Sequence, residues 1–294
     1  MGSLTGWHYP TDLFLRLADH TYVSCGSGGK AWSCWGGKTG GQPLSTGAGS
    51  TRRADAIAEP DERAGITCYL INGVCHQAAN RILSPAGILV LGAKGYWVSE
   101  SMYGTYGRSR GALGMCRAPF NRHASVAGDL TECREAVTPK GASRPVEVED
   151  ADFQRYLGIV RDLYAQIDGV RMEAFTDDDS RNFQLKLFSA MARYRLGTDA
   201  VDSPEGRSLM DVRASVEAQR MAIEDAFLND KMTVDEFVTR YNLLFEQFQQ
   251  HVAEVLSADG YRALLQMERD ERVVLGDPEI ARLAYPGSRR TPGL

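Results

Sequence analysis

Hydrophobic and polar positions change their period about halfway along the chain. Before residue 145 the apolar residues fall in short runs broken by glycine clusters, and residues 13–25, 30–35, 88–91 and 96–99 read as strands. The glycines between residues 36 and 49 predict a long loop. One helix is predicted in this part, over residues 75–83, ended by Ser84-Pro85 because proline disfavours a helical residue before it. From about residue 150 the spacing becomes helical, with Phe153, Tyr156, Leu157, Val160, Leu163, Tyr164 and Ile167 on one face. Asp177-Asp178-Asp179 reads as the acidic start of the next helix. Ser203-Pro204-Glu205 and Asp277-Pro278-Glu279 each place a capping residue before a proline at the first helical position. Thr233 and Glu236 form a capping-box pattern ahead of a stripe running from Val234 to Val255. Ser257 opens a further segment over 261–274.

These patterns predict an α+β fold. A small sheet packs on the helix that begins at Cys75, and an all-α helical domain follows. The expected boundaries are 1–145 and 146–294, with a proline-containing, acidic linker over 137–150.

Composition narrows the function classes. A chain of 294 residues with 43% hydrophobic and 24% charged residues is globular. A net charge of −5 offers no basic field to nucleic acid or to an anionic membrane, so neither is an expected partner. No apolar run approaches the roughly 20 residues of a membrane span, and no signal peptide is legible. The expected location is the cytoplasm, or outside the cell by an export route that leaves no recognisable signal. All 4 Trp, all 6 Cys and 22 of 30 Gly precede residue 145, so candidate chemistry concentrates there.

Cys75 is the sharpest candidate. Gly73 permits a tight turn, and Cys75 then falls in the first turn of its helix. Free N–H groups and the positive dipole end there stabilise a thiolate and a developing oxyanion. A thiol nucleophile also needs a base brought close by the fold. His20, in a strand-like Asp19-His20-Thr21-Tyr22-Val23 context, is one candidate, and His123 is the alternative. His76 follows Cys75 directly and points about 100° away on a helix, so it reads as structural or helix-surface. Ser33, Gln77 and Asn80 are the groups available to orient the base. Tyr103 and Tyr106, in a loop with several glycines and two arginines, are candidate substrate-binding residues.

A cysteine opening a helix, with a histidine on a small sheet, resembles the papain-like thiol hydrolase superfamily. His20 before Cys75 resembles its circularly permuted branch, which includes permuted NlpC/P60-type proteins, whereas Cys75 before His123 resembles the unpermuted branch. The resemblance spans roughly residues 10–130 and implies Cys–His catalysis through an acyl-enzyme, as an amide hydrolase or acyltransferase. It implies a peptide or other amide-bearing substrate and no cofactor.

Other signals point less far. Gly36-Gly37-Lys38-Thr39 is not a phosphate loop, because Trp32 stands where its first glycine belongs. The cysteine and histidine spacings do not match the paired ligands of structural zinc, and no metal is assigned. A rival reading is a non-catalytic module stabilised by metal or disulfides, whose helical half binds a protein partner or self-associates. A bacterial effector with a helical delivery or binding half is a third.

Overall fold

The computed structural model describes residues 2–10, 18–26, 30–33, 38–64, 69–107, 151–167 and 176–285. Four strands, β1 (Gly2–Tyr9), β2 (His20–Cys25), β3 (Ala31–Trp32) and β4 (Gln42–Gly49), form one antiparallel sheet in the order β3-β2-β1-β4. Pro43 sits in β4, an edge strand, beside the register irregularity at Gly6/Trp7, the kind of position to which strand prolines are confined. Helices α1 (Thr51–Ala64), α2 (Cys75–Leu83) and α3 (Tyr96–Tyr103) follow. The remainder is helical: α4 (Ala151–Ile167), α5 (Asp177–Leu196), α6 (Thr198–Asp202), α7 (Pro204–Leu228), α8 (Val234–Val255), α9 (Ala258–Leu265) and α10 (Pro278–Ala284). The fold is α+β. Most buried apolar residues of sheet and helices form one continuous core from Leu4 to Tyr285, and Cys75 and Ala78 make a small cluster apart from it.

Alternation along the strands sorts their side chains into two faces. Leu4 and Gly6 of β1 and Val23 and Cys25 of β2 face α2, with Trp32 beside them. A Cβ on Gly6 would lie 2.9 Å from Leu83 Cδ1 and from Val90 Cγ1, so its missing side chain is what lets α2 sit on the sheet. Gly6→Ala is expected to cost about 1–3 kcal/mol by overpacking, read from a urea melt. The opposite face is aromatic. Trp7 stacks on Tyr22 at 6.0 Å, and Tyr9 tilts over His20 at 4.9 Å.

Two predicted strands are corrected. Residues 96–99 belong to α3, whose residues are buried on every side, so no amphipathic period marks it as a helix. Residues 88–91 pair with no strand among the described residues. Conversely, 42–49, expected as part of a loop, is β4. Its Gly47 and Gly49 lie against Ala86 and Pro85, which hides the strand alternation behind small residues. The helices expected after Ser203, Thr233 and Asp277 start where their caps predict, whereas the segment expected over 261–274 is helical over Ala258–Leu265, ending at Gln266 in the left-handed region. The side chains of Thr176, Ser203, Thr233, Ser257 and Asp277 each accept backbone N–H bonds at the start of a helix. The 137–150 linker lies outside the described residues.

Candidate active site

Helix α2 begins at Cys75, after a turn over Tyr69–Gly73 that contains Leu70 at φ 64°. A leucine with positive φ is strained, and it is held by tertiary bonds. Tyr103 Oη donates to Leu70 O at 2.7 Å, and Tyr285 Oη donates to Tyr69 O at 2.6 Å. Every residue of α2 is buried, and its polar side chains gather the chain that follows. Gln77 Oε1 accepts the Val74 N–H, while its Nε2 donates to Gly104 O and Ser99 Oγ. Asn80 receives the Val90 N–H and donates to Thr105 O and Tyr96 Oη. Gln77 and Asn80, weighed as orienting groups for a base, thus organise residues 90–105 instead.

Cys75, a residue only 5% exposed, turns its thiol towards the start of β2. It donates to Asp19 O at 3.7 Å. Burial pushes its pKa up, while the Thr21 backbone N–H and hydroxyl and the amides of His76 and Cys75 pull the other way. The low thiol pKa expected from the helix N-terminus is therefore overridden, because desolvation of the anion outweighs the donors around it. Cys75 is a thiol near neutral pH, and attack by its sulfur requires a base to remove the proton.

His76 is wholly buried. Its Nε2 lies 3.0 Å from Asp19 O and its Nδ1 2.8 Å from Ser99 Oγ. Burial lowers its pKa to about 4, so the ring is neutral at physiological pH. It reads as a brace between α2, α3 and the start of β2.

Asp19 connects these parts. Its N–H donates to Lys94 O at 3.0 Å, its Oδ2 accepts the Lys94 N–H at 2.9 Å, and its carbonyl meets Cys75 and His76. The same Oδ2 lies 2.6 Å from His8 Nδ1. His8 pairs across the ladder with Thr21, whose hydroxyl, otherwise without a hydrogen-bond partner among the described residues, faces the Cys75 sulfur. His8, Asp19, Thr21 and Cys75 therefore share one face.

His20 belongs to the other face. Its Nε2 lies 3.2 Å from Ser33 Oγ and its ring packs on Tyr9, away from α2. The structure thus joins His20 to Ser33 and places Cys75 across the sheet. His123 lies outside the described residues. Tyr103 and Tyr106 are completely buried, and Tyr106 packs edge-on against Tyr164 at 5.5 Å. Among the described residues Tyr103 also holds the turn before α2 through Leu70 O, and Tyr106 O accepts from Arg81 Nη1 at 2.8 Å.

Comparison with known proteins finds no matching family model, no matching curated protein and no matching solved structure. The site is thus described by its geometry alone.

Sequence reasoning passed over His8 and Asp19. His8 stands near the start of the chain, and Asp19 adjoins a histidine that it does not orient. The available signal was the alternation in Thr5-Gly6-Trp7-His8-Tyr9, which predicts an aromatic face and a second face carrying His8. Among the described residues no group of three His, Cys, Asp or Glu could hold a metal ion. Of the cysteines, Cys25 and Cys75 are described, and both are buried. No described helix is long and apolar enough to cross a membrane.

Proposed function

We propose that the chain is a thiol hydrolase or acyltransferase of papain-like type, acting through an acyl-enzyme on Cys75. The observation that carries this reading is the placement of a free cysteine at the first position of α2, against a sheet, within a ring of polar groups. Sγ would attack the carbonyl carbon of a peptide or other amide as an imidazole takes its proton. The N–H groups of Cys75 and His76, which face the sulfur at the first turn of α2, would receive the oxyanion. Collapse would expel the amine, protonated by the imidazole, and leave a thioester. Water or an acceptor amine would then release the acyl group.

The test uses p-nitrophenyl acetate as a generic acyl donor at neutral pH, with peptide mapping by mass spectrometry. Wild-type protein is expected to carry an acetyl group on Cys75 ahead of its other cysteines, and Cys75→Ser to lose that label. Equal labelling of all six cysteines would end the reading.

The deep burial of the thiol favours one other reading, a non-catalytic module in which Cys75 is a packing residue and the helices bind a protein partner. Under that reading Cys75 is acetylated more slowly than a free thiol in solution.

A further inference from the structure

We propose that the base serving Cys75 is His8, on β1, with Asp19 as the residue that positions it. This rests on the thiol-catalysis reading above and deepens it by choosing among the histidines. The first argument is register. His8 lies directly opposite Thr21 in the antiparallel ladder, and opposite side chains on one face have Cβ atoms about 4.5–5.5 Å apart. The Thr21 side chain in turn faces the Cys75 sulfur. His20, one residue earlier, is turned by the strand period onto the far face, where Tyr9 and Ser33 hold it.

The second argument is orientation. Asp19 Oδ2 sits 2.6 Å from His8 Nδ1 and is itself fixed by the Lys94 N–H at 2.9 Å. A carboxylate on Nδ1 selects the tautomer in which Nδ1 carries the proton and Nε2 has the lone pair. His8 Nε2 makes no hydrogen bond among the described residues, so it is available to accept one. The third argument is access. The His8 side chain is 21% exposed, against 9% for Asp19, so a substrate can approach the site over His8.

The step balances. The Cys75 S–H bond breaks as its electron pair forms the bond to the carbonyl carbon, and the proton passes to His8 Nε2. The carbonyl π pair moves onto oxygen and returns when the leaving group departs with that proton. In deacylation His8 takes a proton from water or an acceptor amine, and the thiol of Cys75 is regenerated.

The decisive experiment measures acetylation of Cys75 by p-nitrophenyl acetate in the full-length chain near pH 7, with each variant's fold checked by circular dichroism. His8→Ala is expected to slow the reaction by about 100-fold, within the range for loss of a general base. Added imidazole should restore part of that rate, which the loss of a merely structural residue would not allow. His8→Gln guards against a folding defect and should show the same loss. His20→Ala should stay within about 3-fold of wild type, because its ring lies on the other face. Asp19→Asn should also slow the reaction, and the His8→Ala/Asp19→Asn double variant should be no slower than His8→Ala alone, since the two act as a unit. Rapid acetylation that survives His8→Ala or His8→Gln but fails in His20→Ala would overturn the assignment and leave the thiol reading standing. No preferential acetylation of Cys75 in the wild type would remove both.

Discussion

Replacing Glu217 with alanine is expected to lower the folding stability by about 3–5 kcal/mol, the usual cost of removing one partner from a buried ion pair. Helix α7 carries Arg213, Glu217, Arg220 and Glu224 at three- and four-residue steps, and all four are buried. Arg213 Nη1 donates to Glu217 Oε2 at 2.8 Å, and Arg220 binds both carboxylate oxygens of Glu217. Arg220 also reaches Glu224, which accepts the Tyr241 hydroxyl from α8. Burial alone would lower the Arg220 pKa, but Glu217 and Glu224 outweigh it and push the pKa up.

Without Glu217, the Arg213 and Arg220 guanidinium groups would remain in the core, with Glu224 reaching Arg220. The damage would extend to the candidate site, because Arg213 donates to Ser101 O and Met102 O at the end of α3. Urea denaturation would measure the loss as a lower midpoint at unchanged slope. A paired replacement, Glu217→Leu with Arg220→Met, should recover much of it, since a well-packed apolar pair can match a buried ionic one. A single variant as stable as wild type would show that the ladder is not closed against water.

The second large effect is a loss of stability in mild acid that originates at His76. Burial holds its pKa at about 4 in the folded chain, below the 6.5 of an exposed imidazole. Between those values the unfolded chain binds the extra proton and the native chain does not, so stability falls as pH falls. The contribution is fully present above about pH 6.5 and fully lost below about pH 4. At about 1.4 kcal/mol per pH unit it amounts to roughly 3 kcal/mol. Urea melts between pH 7 and pH 4 would record it, and His76→Gln should flatten that part of the profile. An equally steep profile in the variant would place the acid sensitivity elsewhere. Glu100 works in the opposite sense, because burial raises its pKa and so favours the folded chain as pH falls.

Much of the architecture was legible along the chain. Caps act over three residues, so Ser203, Thr233, Ser257 and Asp277 announced their helices without reference to anything distant, while Thr176 was found only in the structure, ahead of the acidic run that marked its helix. The face of α4 was legible for a related reason, since one side of it is solvent and the contrast shows as a period. Helix α3 lacked that contrast because it is buried all round, and β4 lacked it because small residues fill its inward positions.

By itself the sequence determined that Cys75 opens a helix and that one histidine, His20, stands on a strand before it. Only the tertiary structure decided which histidine shares its face. That choice depends on the register between β1 and β2, which sets His8 against Thr21 and turns His20 away. Nor could the thiol's state be read locally. The helix N-terminus favours the anion through near neighbours, but burial is set by the whole fold, and burial prevails at Cys75.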